Sequence, residues 1–275
     1  MLKILILTAF WSRPQISRLY WMGIERLKKS FDVKVMAICS DSENLELAKK
    51  YADYITEFPN EPIGKKMNVG LVNAVEKDFD VLMQLGSDDL ITDNAVSKLQ
   101  KYYKSGVKFF GLNNVAMVDS VNKQAGQMQF PNVFGSGRCI AKEVLLQFVK
   151  GKKIRMKQSI AGAAYNYGKG QIVDLPFATA KKWVERGLAE EIESVSMDNL
   201  FWPDAVNSGL DVRSEIRLEE IGLVCLPVMY DDPQLIAVKS HYNIWKYDTF
   251  KLNQYPMEKI KEKISSEEYE YLMSL

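Results

Sequence analysis

Two adjacent carboxylates, Asp88 and Asp89, follow the apolar run Val81-Leu82-Met83-Gln84-Leu85. Like charges at the end of a buried strand repel each other and need a counter-charge. A hard cation such as Mn²⁺ or Mg²⁺ would supply that charge and could also bridge the diphosphate of a nucleotide. Gly86 and Ser87 are small enough to let a ligand approach the backbone closely. An aspartate-rich turn before a helix would have the same sequence, so both interpretations stay open on these residues alone.

Two other segments carry groups that suit an anionic ligand. Lys65-Lys66-Met67-Asn68 begins a predicted helix, and lysines at a helix N-terminus suit a diphosphate. Thr8-Ala9-Phe10-Trp11-Ser12-Arg13-Pro14 leaves the first predicted strand, where Trp11 could flank a base and Arg13 could bind phosphate. A solvated basic turn and a packing tryptophan with a surface arginine are the structural alternatives.

Two later residues are weaker candidates when they are considered alone. His241 is the one histidine of the chain and lies just past a predicted strand. A single histidine is more often structural than a ligand. Asp198 lies in the first turn of a predicted helix that Ser196 caps, where a carboxylate complements the helix dipole. By themselves, these two residues therefore favour structural roles.

Strand and helix signals alternate along the first 110 residues. Continuous β-rich runs predict strands covered on both faces, at 2–8, 33–39 and 81–85. Helical patterns lie between them, at 16–29, 40–51, 66–76 and 92–103, and Ser40 with Glu43 is predicted to form a capping box. The alternation predicts an α/β, Rossmann-like fold with a mainly parallel central sheet flanked by helices. Ligands of such sheets bind at the carboxyl ends of the strands.

The pattern changes after residue 107. Strands are predicted at 107–110, 115–118, 222–230 and 235–239, a hairpin or loop at 119–136 and a helix at 141–149. Residues 150–192 are predicted to be a small inserted α+β segment, with a strand at 171–173 and a helix from about 177 to 186 that Gly187 ends. The tail is predicted to be helical from Pro256, with a capping box of Ser265 and Glu268.

Composition narrows the function classes. The chain has 275 residues and a formal net charge of +1, which argues against a dedicated non-specific nucleic-acid binder. Its three cysteines lie far apart and are predicted to be buried, reduced thiols. The apolar run at 2–7 is too short for a signal peptide, and no run is long enough to span a membrane, so we expect a soluble, cytoplasmic protein. Signatures of dinucleotide oxidoreductases, P-loop proteins and serine hydrolases are absent from the sequence.

Taken in chain order, these segments resemble the A-type (GT-A) fold of nucleotide-sugar glycosyltransferases, particularly the family-2-like group, over 1–145 and more loosely over 194–247. The resemblance implies that Asp88, Asp89 and His241 bind Mn²⁺ or Mg²⁺, and that Asp198 is the catalytic base. It also implies that Asp41 reads the base of the donor. Other donor contacts would come from Thr8, Ala9, Trp11, Arg13, Lys65, Lys66, Asn68 and Ser87. The first aspartate of that family's metal loop is Gly86 here, so contact with the ribose must come from elsewhere.

The same resemblance implies a single catalytic domain over 1–275. Its nucleotide-sugar-binding half would be 1–110, its acceptor half 111–149 with 193–250, and 251–275 a helical tail. The implied activity is metal-dependent transfer of a sugar from a nucleoside-diphosphate sugar, UDP-sugar in particular, to an acceptor hydroxyl with inversion. A nucleotidyltransferase that forms an activated sugar and a non-catalytic nucleotide-sugar-binding protein are the alternatives.

The predicted insert suggests a class of acceptor. Its basic run Lys150–Lys157, together with Tyr165 and Tyr167, could bind a polyanion, although a solvated surface insert would have the same composition. The stretch from Val173 to Glu190 also resembles segments of phage-encoded proteins. We therefore expect the acceptor to be either a glycan or a hydroxymethylated base of phage-type DNA.

Overall fold

A seven-stranded sheet forms the centre of the molecule. The computed structural model describes residues 1–130, 132–146, 149, 152–161, 166–175, 177–193, 201–202, 218–219, 221–240 and 247–275. In their order across the sheet, the strands are β15 (Leu226–Val228), β6 (Phe109–Leu112), β9 (Arg138–Ala141), β4 (Val81–Gln84), β1 (Lys3–Phe10), β2 (Asp32–Cys39) and β3 (Tyr54–Glu57). All neighbours run parallel except β9, which is antiparallel to both β4 and β6. The predicted α/β class with a mostly parallel central sheet is confirmed.

Helices cover both faces of this sheet, which explains the continuous apolar runs of its central strands. On β1, Ile4 and Ile6 point to one face and Leu5 and Leu7 to the other, because successive side chains of a strand alternate. The first face packs against α1 (Pro14–Lys28), α2 (Ser42–Tyr51) and α4 (Asp93–Lys104). The second face packs against α3 (Ile63–Val75) and α5 (Lys142–Leu145).

A second sheet of five strands contributes to the site described below. Its order is β17 (Asn253–Tyr255), β8 (Gln124–Gln129), β7 (Asn114–Asp119), β16 (Leu235–Lys239) and β5 (Asp89–Ile91). β16 runs parallel to β7 and antiparallel to β5. A hairpin or loop was predicted at 119–136. The structure has β8 in this range, and β8 forms a hairpin with β7, which contains the strand predicted at 115–118. Strand β5 was not predicted, because its three residues begin at the second carboxylate, Asp89, and end just before the next helix.

Several predicted boundaries shift. The predicted Ser40 capping box is wrong, because Asp41 is the N-cap of α2 and its carboxylate accepts a hydrogen bond from the backbone N of Asn44 at 2.9 Å. Ser40 instead donates its hydroxyl to the Phe58 carbonyl at 2.8 Å. Helix α3 begins three residues before the predicted start, and α5 is a single turn where a helix over 141–149 was predicted. Strand β15 covers only three residues of the predicted 222–230.

The segment predicted as an insert contains a small sheet of its own. β10 (Lys152–Met156) lies between β13 (Ile172–Leu175) and β14 (Ala189–Glu193), antiparallel to both, and α6 (Phe177–Glu185) packs on them. Two short strands, β11 (Ile160–Ala161) and β12 (Asn166–Tyr167), pair beside them. Gly187 has a φ of +69°, so the predicted glycine ends α6 in a left-handed conformation. Of the basic run, Arg155 pairs with Glu190 at 3.1 Å. The domain division and a polyanion site stay predictions.

The tail folds back onto the first helix. After a short 3₁₀ helix (Tyr247–Thr249), α7 (Met257–Lys261) and α8 (Ser266–Ser274) follow. The predicted capping box of Ser265 and Glu268 is confirmed. The buried Glu268 carboxylate also accepts two hydrogen bonds from Nε of Arg26 on α1, at 3.0 and 3.2 Å. This ion pair fixes the tail to the N-terminal half.

Two general expectations can be compared with the structure. Cys39 and Cys139 are buried, Cys225 is partly exposed, and all three are free thiols. None of the helices in the described part of the chain combines the length and the hydropathy that crossing a bilayer requires.

Substituting Glu268→Ala should lower the free energy of unfolding by about 3 kcal/mol, because it removes a buried carboxylate that pairs with Arg26 and the glutamate half of the capping box with Ser265. Urea unfolding measures the loss. Glu267→Ala is the matched control, since this exposed neighbour should change stability by no more than about 0.5 kcal/mol. Equal losses for the two variants would contradict the anchoring role of Glu268.

Candidate functional site

The carboxyl ends of β1, β2 and β4 lie side by side at one edge of the central sheet. The loop after β1 carries Trp11, Ser12 and Arg13, and Asp41 follows β2 after one residue. The loop after β4 carries 86–88. Because all three strands are parallel neighbours, their loops meet at the same edge. The structure therefore brings together three of the predicted segments.

Asp88 is paired with two cations. Its Oδ2 atom lies 3.4 Å from Nη1 of Arg13 and 3.2 Å from Nζ of Lys239. The three side chains are largely buried, with 14%, 19% and 11% of the side-chain surface of Asp88, Arg13 and Lys239 exposed. Arg13 also donates from Nη2 to Oγ of Ser87 at 3.2 Å. Burial raises the pKa of Asp88, but the charges of Lys239 and Arg13 outweigh it and hold that pKa below its ordinary value.

Asp89 is the more deeply buried carboxylate of the pair. Its Oδ1 has no hydrogen-bond partner among the described residues. Burial, followed by the charge of Asp88, raises the pKa of Asp89, and a hydrogen bond with Ser136 opposes that rise only in part. Ser136 also accepts the backbone N–H of Gly86 at 2.9 Å, so it joins the two ends of the acidic loop.

Gly86 has no room for a side chain. A Cβ atom there would lie 2.4 Å from Oδ2 of Asp89 and 3.1 Å from Oδ1 of Asp88. An aspartate at 86, which the family resemblance leads one to expect, would collide with the second carboxylate. An aspartate at 86 would therefore require the Asp89 side chain to move.

The described donors do not fit a divalent-cation site. No group of three or more histidine, cysteine, aspartate or glutamate side chains that could hold a metal ion is found among the described residues. Asp88, the first predicted ligand, already contacts an ammonium and a guanidinium. His241 and Asp198 lie outside the described residues. Mn²⁺ or Mg²⁺ binding by Asp88, Asp89 and His241 therefore stays a prediction.

Asp41 joins the loops after β1 and β2. Its Oδ2 accepts the backbone N–H of Ser12 at 3.0 Å, while Oδ1 caps α2 through Asn44. Ser12 has a φ of +58°, a left-handed conformation that a non-glycine residue rarely adopts. Beside Asp41 lies a cavity of about 570 Å³ that Cys39, Phe58 and Pro59 also line. Burial raises the pKa of Asp41, but the hydrogen bonds from Asn44 and Ser12 lower it below its ordinary value.

Three of the predicted donor contacts have side chains that bond inside the protein. The buried Lys66 ammonium donates to the Phe10 carbonyl at 2.9 Å. The Asn68 side chain accepts from the backbone N of Trp202 at 3.1 Å and donates to its carbonyl at 2.6 Å. The Thr8 hydroxyl is hydrogen-bonded to the hydroxyl of Tyr20 at 2.7 Å. The hydrogen bonds of these three side chains connect β1 and α3 to neighbouring parts of the protein.

The remaining predicted contacts are more accessible. Trp11 is 48% exposed and Lys65 is exposed, while Ala9 is only partly buried. Ser87 is buried and contacts Arg13. The predicted role of each of these residues in binding a donor stays a prediction.

Part of the chain is distantly similar to solved structures. No family model matches the chain, and neither does any curated protein. Part of the chain aligns with the crystal structure of S. aureus TarS 1–349 at 12% identity and a TM-score of 0.35, covering 53% of this chain and 48% of that one. A structure of S. aureus TarS aligns at 11% identity and a TM-score of 0.37, covering 54% of this chain and 30% of that one. The chain thus spans less than half the length of either structure.

Lys239 is the functional candidate that the sequence interpretation missed. It is the last residue of the predicted strand 235–239, two positions before His241. A charged residue directly after the apolar run Leu235–Val238 was the available signal. The partner of that lysine, Asp88, is 151 positions away in sequence, so the pair could not be identified without the pairing of β16 with β5.

The buried Lys66 should make stability depend on alkaline pH. Burial lowers the pKa of Lys66 to about 8 from an ordinary 10.5. Between these values the unfolded chain holds the extra proton, so the free energy of unfolding should rise with pH, by ~3 kcal/mol at most from this group. Urea unfolding of the wild type and of Lys66→Met across that window measures the difference.

Lys65→Met is the control for this measurement, because it removes an exposed lysine at the next position. It should keep the wild-type rise, while Lys66→Met should flatten it. Parallel curves for the wild type and Lys66→Met would contradict the buried charge at Lys66.

Proposed function

We propose that this chain is a glycosyltransferase that moves a sugar from a nucleoside-diphosphate sugar to an acceptor hydroxyl. The observation that carries the proposal is the convergence of Asp41, Arg13 and Asp88 at the carboxyl ends of three parallel strands, beside a cavity of about 570 Å³. This edge is where parallel α/β sheets bind ligands. A carboxylate and an aromatic ring lie at one end of the region and cations at the other, which suits a nucleoside followed by a diphosphate.

Each part of the donor has a chemical counterpart. The cavity at Asp41 offers the ring of Phe58 and a carboxylate acceptor, which suit a nucleobase and its N–H or hydroxyl donors. Arg13 suits the diphosphate because a guanidinium binds phosphate oxygens in a two-point arrangement. UDP is the nucleotide that we propose first. The exposed Trp11 lies in the same loop as Arg13 and could cover the bound donor.

The proposed reaction is a single displacement. The acceptor oxygen bonds to the anomeric carbon while the bond from that carbon to the β-phosphate oxygen breaks. The electron pair leaves with the nucleoside diphosphate, and the hydroxyl proton passes to a base, for which Asp198 is the predicted residue. Attack opposite the leaving group inverts the anomeric centre. No step here uses the predicted metal ion, because the described donors do not fit one.

The acceptor classes that we propose are a glycan and a hydroxymethylated DNA base. Both present a hydroxyl as nucleophile, but only DNA is a polyanion. If DNA is the acceptor, the rate should fall steeply with added salt. The basic run 150–157 is the reason for testing DNA as an acceptor.

The experiment is a panel of nucleoside-diphosphate sugars, each incubated with the protein with and without Mn²⁺. Release of the nucleoside diphosphate, by transfer or slow hydrolysis, is the expected result. A thermal shift without any turnover would instead indicate a nucleotide-sugar-binding protein. Formation of pyrophosphate from a nucleoside triphosphate and a sugar phosphate would indicate a nucleotidyltransferase. No shift and no turnover with any member of the panel would refute the proposal.

Substituting Arg13→Ala should lower kcat/KM for the accepted donor by about tenfold or more, because the charge-assisted contact with phosphate is lost. Steady-state release of nucleoside diphosphate is the measurement. Arg18→Ala, which truncates an exposed arginine on α1, is the matched control and should change the rate by less than about twofold. Equal activity of the Arg13 variant and wild type would exclude Arg13 from donor binding.

A further inference from the structure

We propose that Lys239 and Arg13 bind the donor diphosphate directly, in place of a divalent cation, and that Asp88 holds these two cations in position. This inference rests on the proposed function. It assigns Lys239 to the site and reverses the predicted role of Asp88 from metal ligand to counter-ion.

The first observation is that two cations from distant parts of the chain meet at one carboxylate oxygen. Arg13 comes from the loop after β1 and Lys239 from the end of β16, and both lie within 3.4 Å of Oδ2 of Asp88. A metal ion bound to that oxygen at about 2 Å would therefore lie within a few ångströms of both. At such distances a divalent ion is strongly repelled by an ammonium and a guanidinium. A diphosphate is attracted by the same pair.

The second observation is that the backbone fixes the position of Lys239. The backbone N of Val238 donates to the carbonyl of Asp88 at 2.8 Å, and the carbonyl of Lys239 accepts from the backbone N of Ser120 at 2.9 Å. Ala237 is paired with Asp89 in the β16–β5 register. Lys239 is therefore attached through main-chain bonds to the acidic loop that it neutralises, and its approach to Asp88 does not depend on the side-chain contact alone.

The third observation concerns the hydrogen-bond donors of the two cations. An ammonium has three donors, so it can keep one bond to Asp88 and direct another to a phosphate oxygen. The guanidinium of Arg13 has five and already directs two of its nitrogens to the acidic loop.

Binding of nucleoside diphosphates in the presence of EDTA tests this directly. The probes are UDP, GDP, ADP, CDP and TDP, measured by titration calorimetry with wild-type protein in EDTA and again in Mn²⁺. The inference expects the tightest of these to bind in EDTA with a Kd within about threefold of the Kd in Mn²⁺. Lys239→Gln should weaken that binding by about tenfold or more in EDTA, since a charge-assisted hydrogen bond is lost. Lys101→Gln, an exposed lysine on α4, is the control and should leave the Kd unchanged.

Asp88→Asn separates the two roles of Asp88. If it is a metal ligand, Asp88→Asn abolishes Mn²⁺-dependent binding. If it is the counter-ion that positions Lys239 and Arg13, Asp88→Asn weakens binding in EDTA and in Mn²⁺ by the same factor, because the two cations lose the carboxylate that holds them. Thermal unfolding of each variant confirms that it is folded, and Lys239→Arg, which keeps the charge, should recover part of the affinity lost in Lys239→Gln.

The outcomes distinguish this inference from the proposed function. Binding that requires Mn²⁺ would overturn the inference and leave a metal-dependent transferase standing. An unchanged Kd in Lys239→Gln would also overturn it, as would a folded Asp88→Asn variant that loses only the Mn²⁺-dependent part of binding. Absence of binding to all five diphosphates under both conditions would refute the inference and the proposed function together.

Discussion

The parallel pairing of β1 with β2 on one side and with β4 on the other is the constraint from which the site follows. It aligns Leu7 with both Met36 and Gln84, so the three strands end at one edge. The strands that carry the loops at this edge lie between α1 and α2 on one face and α3 on the other. Every charged group that we assign to the donor site lies on one of these loops or on the β16–β5 pair beside them. The grouping of these charged side chains therefore depends on the order of the strands in the sheet and not on any single sequence motif.

The site concentrates charge where water is largely excluded, which is costly unless the charges are paired. Asp88 satisfies this condition with two cations, whereas Asp89 leaves one oxygen without a hydrogen bond among the described residues. Lys66 lies below the loop after β1 and gives its ammonium to a backbone carbonyl. The loop after β1 is therefore stabilised by Lys66, which binds the Phe10 carbonyl, and by Asp41, which binds the backbone N–H of Ser12.

Sequence patterns predicted the strands of the first half well, because buried parallel strands are continuous apolar runs and helices repeat with a different period. The loops that they singled out after β1, β2 and β4 lie together at one edge of the sheet. The patterns did not predict which side chains form hydrogen bonds or ion pairs with each other. Asp41 was predicted to read the base of the donor, and it also caps α2. Lys66 and Asn68 were predicted to contact the donor, and the side chains of both bond within the protein. Long-range pairs such as Asp88 with Lys239 depend on register, which a single sequence does not encode locally.

The absence of a side chain at Gly86 has a consequence for how such sites can change. The space that a third carboxylate would need is the space that the Asp89 side chain fills. A single Gly86→Asp change would therefore bring two like charges into overlap instead of enlarging the donor set. Any route from a lysine-and-arginine arrangement to one built around an ion must first turn Asp89 away or replace it. Positions 86 and 89 are thus linked, because an aspartate at 86 requires the side chain at 89 to occupy a different place.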